Sequence, residues 1–182
     1  MRKLKLEELE RDNIAQYQDR EKIKVSVVLD NIRSAMNVGS FFRTVDCFAL
    51  SKIYLTGITA VPPHPEINKT AIGATLSVEW EYYKDVEELI KELKNEKTLV
   101  LGIEQTDKSI PLEEYTLDDA NHSIVLVFGN EVEGLSESIL PLLDDSIVIP
   151  QYGTKHSLNV AVCGGIVLHE FRQKIKKASI KY

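Results

Sequence analysis

The sequence predicts a single α/β domain with a mostly parallel, six-stranded sheet and helices on both of its faces. Six short apolar segments recur along the chain, and several are almost continuously apolar, as strands buried on both faces are. Segments with helical spacing separate them, and this alternation is typical of parallel sheets. The chain has 182 residues without an internal repeat or a domain-scale linker. We expect residues 25–182 to form the domain and residues 1–24 an N-terminal arm or amphipathic helix.

The predicted elements follow from apolar runs and from the polar residues that bound them. Helices are predicted over 41–49 and 86–94, and Asp85 is the expected N-cap of the second. Residues 61–65 contain three prolines and predict a rigid, extended loop. Residues 108–122 show no clear pattern. The six strands are expected over 25–29, 52–56, 78–83, 98–103, 123–128 and 146–149.

A polar loop between a buried strand and an apolar helix dominates the C-terminal part. Pro150 cannot donate to a strand ladder, so the sixth strand ends there. Residues 150–159 then supply hydroxyl and amide groups that can cap a helix or hold a ligand. Residues 158–168 are apolar on nearly every side. A surface helix shows one apolar stripe, so this segment predicts a helix buried against its sheet alone, or against its sheet and a partner.

Composition argues against several classes of protein. No apolar run approaches the roughly 20 residues that span a bilayer, and the first residues lack the apolar core of a signal peptide. Cys47 and Cys163 lie in apolar segments without a CxxC pair, which predicts reduced thiols and a cytoplasmic location. The net charge of −6 is unfavourable for a nucleic-acid binder, although a local basic patch can offset it.

Common nucleotide, metal and hydrolase motifs are absent from the sequence. No GxGxxG follows the first strand and no GxxxxGK[ST] occurs, so the phosphate cradles of Rossmann and P-loop proteins are missing. The four histidines are scattered, without HExxH or a His–Cys cluster, and no GxSxG elbow is present. We therefore expect no metal ion.

Three loops after predicted strands carry most of the functional groups: residues 30–43, 129–134 and 150–159. Ligands of open α/β sheets bind beyond the carboxyl ends of the strands, so these loops form the expected site. The loops contain the blocks NVGSFFRTVD from Asn37, VFGNEVEGLS from Val127, and IPQ with SLNV between Ile149 and Val160. In this order the blocks resemble the motifs of the SpoU (TrmH-like) group of SPOUT RNA methyltransferases.

The resemblance covers residues 25–172 and implies both a fold and an activity. Members of the group transfer a methyl group from S-adenosylmethionine to a ribose 2′-hydroxyl of tRNA or rRNA. The resemblance therefore implies this cofactor and an RNA partner. It also implies a trefoil knot in the C-terminal part of the sheet and a homodimer whose interface includes the last helix. The chain resembles minimal, catalytic-domain-only members, which slightly favours tRNA as the substrate.

The family motifs map onto particular residues of this chain. The cofactor would be held largely by main-chain groups around Leu101, Gly102, Ile103, Glu104, Gly129, Ile149 and Leu158. At Gly129 the missing side chain would let a ligand approach the backbone closely. The catalytic positions would be Asn37, Arg43, Glu131, Ser157 and Asn159.

Arg43 would act on the ribose hydroxyl in one of two ways. In the family it is proposed to activate the hydroxyl, but a neutral guanidine at pH 7 costs about 7–9 kcal/mol at ~1.36 kcal/mol per pKa unit. A cationic Arg43 that holds a substrate phosphate and stabilises the developing alkoxide is less costly. The base would then be a phosphate oxygen, Glu131 or water. Asn37, Ser157 and Asn159 would orient Arg43, the ribose and the motif loops. In the alternative to a role as base, Glu131 would anchor Asn37 or a loop amide.

Each of these residues also has a simpler interpretation. Asn37 and Ser157 suit helix N-caps, Glu131 suits a solvated loop carboxylate, and Arg43 suits an exposed helix residue. Tyr152 would either stack on a base or pack within its loop. Two alternatives to ribose methylation are open for the protein as a whole. It would bind RNA without methyl transfer, or it would methylate an RNA base.

Basic residues available to RNA lie in three places. Lys155 and His156 are in the third loop, where they would either contact phosphate or remain solvated. The others cluster near the chain ends: Arg2, Lys3, Lys5, Arg20, Lys22, Lys24, Arg172, Lys174, Lys176, Lys177 and Lys181. If both ends flank a dimer cleft, they supply a local positive patch despite the negative net charge.

Overall fold

The computed structural model describes residues 1–9, 11–117 and 122–179, which form seven strands and five α-helices. The strands are β1 (Ile23–Asp30), β2 (Leu50–Thr56), β3 (Glu79–Tyr83), β4 (Leu99–Ile103), β5 (Ile110–Pro111), β6 (Ile124–Phe128) and β7 (Asp145–Val148). The α-helices are α1 (Ile14–Asp19), α2 (Ala35–Phe48), α3 (Pro65–Ala71), α4 (Val86–Asn95) and α5 (Val160–Ser179). Short 3-10 helices occupy Leu6–Leu9, Ala74–Leu76 and Glu137–Leu142.

The strands form one parallel sheet in the order β3-β2-β1-β6-β4-β7-β5. The prediction of an α/β fold with a parallel sheet is confirmed, but the prediction of six strands is wrong. The additional strand is β5, a two-residue strand at the sheet edge that pairs with β7. Two residues carry no periodic pattern, and Pro111 lacks the amide that a central strand needs, so no strand signal is present there. The trefoil knot stays a prediction.

The strand order reverses between β1 and β6. β2 and β3 extend the sheet on one side of β1, whereas β6, β4, β7 and β5 extend it on the other. The carboxyl ends of β1 and β6 are therefore adjacent, with Leu29 aligned with Phe128. Ligand sites of open α/β sheets form at such a reversal, because the loops that leave the two strands diverge and open a crevice.

Both faces of the sheet are covered, as the residues of β6 demonstrate. Leu126 and Phe128 are buried in the core that includes residues of α2, α3 and α5. Val125 and Val127 are buried in the opposite core, formed with α4 and the 3-10 helix Glu137–Leu142. Neither face of β6 meets solvent, which explains why this strand is apolar at every position.

Two helices differ from the sequence prediction. The apolar spacing predicts a helix over 41–49, whereas α2 begins at Ala35, so Asn37 lies in a helix and not in a loop. Asn37, Gly39 and Ser40 near its start are residue types typical of loops, so they hide the helical pattern there. α3 begins at Pro65, in the segment predicted to be an extended loop. Proline suits the first helical position because the amide of that position has no partner within the helix.

The residues before β1 pack against the domain through α1. Tyr17 is buried, and its hydroxyl donates to the carbonyl of Val45 at 3.5 Å. The side chain of Gln18 donates to the carbonyl of Leu76 at 3.0 Å. β1 begins at Ile23, two residues before the predicted start of the domain. The division into an arm and a domain stays a prediction.

α5 is apolar on two faces, and the chain itself covers one of them. Val167, Leu168 and Phe171 on the inner face are fully buried. Val162 and Ile166 are 54% and 43% exposed. The all-round apolarity of this segment therefore reflects one covered and one uncovered face. Neither α5 nor another helix in the described part of the chain combines the length and apolarity needed to cross a membrane.

Candidate active site

A chain of hydrogen bonds connects the three motif loops near the reversal of the strand order. Asn37 of α2 donates its side-chain amide to Glu131, with Nδ2 2.9 Å from Oε1. Asn159, which precedes α5, donates its side-chain amide to Asn37, with Nδ2 3.2 Å from Oδ1. The bonded residues are 94 and 122 positions apart in the sequence. The fold thus brings together three of the five residues predicted to be catalytic.

The carboxylate of Glu131 is occupied by donors from the chain itself. Its Oε2 accepts from the amide of Arg33 at 3.0 Å, and its Oε1 accepts from the amide of Ser34 at 3.2 Å as well as from Asn37. Partial burial alone would raise the pKa of Glu131, but hydrogen bonds from Arg33, Asn37, its own amide and Ser34 outweigh burial and lower the pKa. Glu131 is therefore ionised at neutral pH and has little capacity left for a substrate proton.

Neighbouring residues, and not Asn37 and Ser157, form the helix caps. Ser34 caps α2 by accepting from the amide of Asn37 at 3.3 Å. The side-chain oxygen of Asn159 accepts from two backbone amides in the first turn of α5, at 2.9 and 3.3 Å. The interpretation of Asn37 and Ser157 as N-caps is therefore wrong. Asn159 therefore makes two kinds of hydrogen bond: its side-chain oxygen caps α5, and its side-chain nitrogen donates to Asn37.

A second network, which sequence reasoning missed, fixes the loops that leave β1 and β6. The side chain of Asn130 donates to the carbonyl of Asn31 at 2.9 Å, and it accepts from the two amides that follow Glu131, at 2.8 and 3.2 Å. Buried Asp30 accepts from the amide of Ser136 at 2.9 Å and from the side chain of Asn31 at 2.8 Å. Asp and Asn after a strand are ordinary turn residues, so their type alone did not indicate this role.

A cavity of about 410 Å³ opens at the carboxyl ends of β4, β6 and β7 and includes Glu131 in its wall. Small-molecule sites usually occupy about 300–1,000 Å³, so the cavity has the size of a ligand pocket. Ser157 also lines it. The predicted cofactor residues in the wall are Ile103, Glu104, Gly129, Ile149 and Leu158.

Two predicted cofactor residues, Leu101 and Gly102, lie inside β4 and do not line the cavity. Both are buried, and a Cβ at Gly102 would collide with two leucine side chains. The glycine at position 102 therefore serves the packing of the sheet. Gly129 does line the cavity, but a Cβ there would collide with the backbone of residues 134–135. Glycine is therefore required at position 129 because the backbone of residues 134–135 passes close to its Cα.

Arg43 and Ser157, the remaining predicted catalytic residues, are exposed. Arg43 lies on α2, six residues after Asn37. Within the described ranges, neither side chain is tied by a hydrogen bond or an ion pair, so both are free to meet a substrate. Tyr152 is 93% exposed and does not pack within its loop.

The cavity wall contains further residues that were not predicted to bind the cofactor. The side chain of Gln105 donates to the carbonyl of His156 at 2.9 Å and ties the loop after β4 to the third motif loop. Cys163 contributes its thiol, whose pKa is raised to about 11, first by burial and second by the negative charge of Glu104. The proximity of Gln105 and Cys163 to the predicted loops was the only sequence signal for them. Among the described residues, no group of three or more His, Cys, Asp or Glu side chains could hold a metal ion.

Comparisons with known proteins identify the family of this chain. Residues 24–169 match the model of the SpoU rRNA Methylase family. A tRNA (guanosine(18)-2′-O)-methyltransferase of Aquifex aeolicus is 32% identical over 152 residues, which cover 81% of this chain and 68% of that protein.

Two solved structures have folds similar to the fold of this chain. The crystal structure of the A. aeolicus TrmH/SpoU tRNA modifying enzyme has a TM-score of 0.79 and 26% identity, covering 92% of this chain and 83% of that chain. An AdoMet-bound rRNA methyltransferase from Sinorhizobium meliloti has a TM-score of 0.77 and 26% identity, covering 86% of this chain and 59% of that chain. The matched family segment runs from β1 into α5 and includes all three motif loops. This chain belongs to the SpoU rRNA methylase family.

Proposed function

We propose that this chain transfers a methyl group from S-adenosylmethionine to a ribose 2′-hydroxyl of tRNA or rRNA. The observation that carries the proposal is the hydrogen-bonded chain Asn159–Asn37–Glu131, which adjoins a ligand-sized cavity. The relative from A. aeolicus is named a tRNA 2′-O-methyltransferase, and the S. meliloti structure is described as an AdoMet-bound rRNA methyltransferase.

The cavity suits a donor with a flat aromatic base and several polar groups. Ile103, Ile149 and Leu158 supply apolar surface, and the ends of β4, β6 and β7 supply backbone donors and acceptors. When bound, S-adenosylmethionine supplies the electrophilic methyl group. The chain holds this donor, excludes water from part of it and positions the ribose oxygen.

Activation of the ribose hydroxyl falls to groups other than Glu131. Glu131 is already bonded to the amides of Arg33 and Ser34 and to Asn37, which supports a positioning role for it. Arg43, as a cation, would hold a substrate phosphate and stabilise the alkoxide that develops at the 2′-oxygen. A phosphate oxygen or water would accept the hydroxyl proton while the new oxygen–carbon bond forms. Ser157, on the cavity wall, would orient the ribose.

Cations on the motif loops support RNA binding better than the terminal basic residues do. Several terminal residues are already paired with acidic neighbours: Arg2 with Glu8, Arg20 with Asp12, and Lys174 with Glu170. Lys181 lies outside the described residues. Arg33, Arg43 and Lys155 are exposed, and within the described residues their side chains have no acidic partner. We therefore place the RNA backbone across the motif loops.

The exposed thiol of Cys47 supports a reducing compartment. Cys47 and Cys163 are both free, and exposed free thiols are uncommon where disulfides form readily. We therefore propose a cytoplasmic location.

A homodimer completes the proposal. Val162 and Ile166 on the outer face of α5 border a surface hollow of about 640 Å³ that also includes Phe48 and Leu112. Apolar side chains exposed together in this way mark interaction surfaces. A second copy of the chain would cover them, and the interface would then adjoin Asn159 at the start of the same helix.

The proposed activity is tested by incubating the protein with bulk tRNA or rRNA and S-adenosylmethionine labelled in its methyl group. Digestion to nucleosides is expected to yield a labelled 2′-O-methyl nucleoside. Label on a base would indicate the base-methylating alternative, and RNA binding without label would indicate the non-enzymatic one. Either result would contradict the proposal.

Replacing Arg43 by lysine should remove most turnover. Lysine keeps the positive charge but cannot reproduce the bidentate fork that grips a phosphate. Loss of one such transition-state contact usually costs about 10²–10³-fold in kcat. Single-turnover methylation rates measure the change, and Arg20→Lys, whose arginine pairs with Asp12, is the matched control. Near-wild-type turnover of Arg43→Lys would defeat the assigned role.

Glutamates at Val162 and Ile166 should convert a dimer into monomers, because buried carboxylates would remain without partners in the interface. Light scattering coupled to size-exclusion chromatography measures the mass. The control carries glutamate at Ile58 and Ile72, which are 68% and 67% exposed and lie outside α5, and it should stay dimeric. A wild-type protein that is monomeric at micromolar concentration would contradict the proposed interface.

A further inference from the structure

The charged side chains around the cavity are almost all acidic. Glu104, Glu131 and Glu133 line it, together with His156. No lysine or arginine belongs to the wall formed by the described residues. A wall with three carboxylates and no strong cation attracts a positively charged ligand and gives less support to a neutral one.

The three carboxylates differ in what they can offer a ligand. Glu131 is occupied by backbone and side-chain donors. Glu133 is exposed, and within the described part of the chain no donor holds its carboxylate in place. Glu104 is partly buried and is held by two backbone amides, Leu135 to Oε2 at 2.9 Å and Gln105 to Oε1 at 2.8 Å.

Glu104 is fixed in position yet keeps acceptor capacity. An ionised carboxylate offers about four acceptor sites, and two backbone amides leave about half of them open. Gly134 makes this position possible, because a Cβ there would collide with Oε2 of Glu104, and its φ of +73° also favours glycine. The negative charge of Glu104 also acts on a second residue of the cavity wall, since after burial it is the second cause of the raised pKa of the Cys163 thiol.

We infer that Glu104 is a specificity-determining residue that favours the cationic methyl donor over its neutral product. The inference rests on the proposed function. S-adenosylmethionine carries a sulfonium cation, whereas S-adenosylhomocysteine has a neutral thioether in its place. Methyl transfer moves the methyl carbon from sulfur to the ribose oxygen, and the sulfur keeps the bonding electron pair and loses its charge. The attraction to Glu104 therefore ends with the reaction, which favours release of the product.

Calorimetric titrations of wild type and Glu104→Gln with three ligands test the inference. The ligands are S-adenosylmethionine, S-adenosylhomocysteine and sinefungin, which carries an ammonium group where the donor has its sulfonium. Glu104→Gln should weaken both cationic ligands about three- to fivefold more than it weakens the neutral product, as expected for one partly exposed charge pair. The control Glu137→Gln removes an exposed carboxylate outside the cavity wall and should leave the ratio of affinities within about twofold of wild type.

The outcomes separate this inference from the proposed function. Equal weakening of all three ligands, or no weakening, overturns it, because a purely structural role or a bond to the donor ribose would not distinguish the charges. Failure of wild type to bind S-adenosylmethionine overturns the proposed function itself. Glutamine places an amide donor against one of the two backbone amides. If that variant does not fold, Glu104→Ala provides the same comparison, since water in the open cavity can satisfy both amides.

Discussion

The carboxylate of Glu131 is the interaction on which the candidate site depends. It accepts from two backbone amides at the start of α2 and from Asn37, and Asn37 extends the contact to Asn159 before α5. The loops that meet here lie far apart in the chain, so their ordering costs conformational entropy. Hydrogen bonds to an ionised acceptor are stronger than those between neutral groups, and they satisfy amides at the start of α2 that no helical carbonyl can reach.

The polar residues at this edge of the sheet divide into a fixed frame and a free set. Asn130, Glu131 and Asn159 direct their acceptor atoms to the chain itself, and these bonds hold the loops in place. Arg43 and Ser157 are exposed and without partners in the described part of the chain. A site for chemistry on RNA needs both sets, because a rigid frame limits the positions that the free groups can adopt.

The sequence predicted those parts of the fold and site that leave a pattern in residue type. The strands leave apolar runs in the sequence, most clearly β6, and the three motif loops follow predicted strands. β5 was missed because two residues carry no periodicity. α2 was predicted too short because Asn37, Gly39 and Ser40 near its start are residue types typical of loops. Asn37 or a loop amide was among the predicted partners of Glu131, and the structure contains both kinds of bond. The sequence could not indicate which backbone amides bind the carboxylate, since almost any residue supplies one. The outer face of α5 was visible as apolarity, but the sequence alone did not show which face the chain covers.

A double-mutant cycle between Asn37→Ala and Glu131→Ala measures whether the bond between these two residues holds the motif loops together. Urea unfolding at one fixed protein concentration gives the free energies of wild type, both single variants and the double variant. We expect a coupling of about 1 kcal/mol or more, because the residues share a charge-assisted hydrogen bond. Additivity within about 0.3–0.5 kcal/mol, the range found for independent sites, would contradict it.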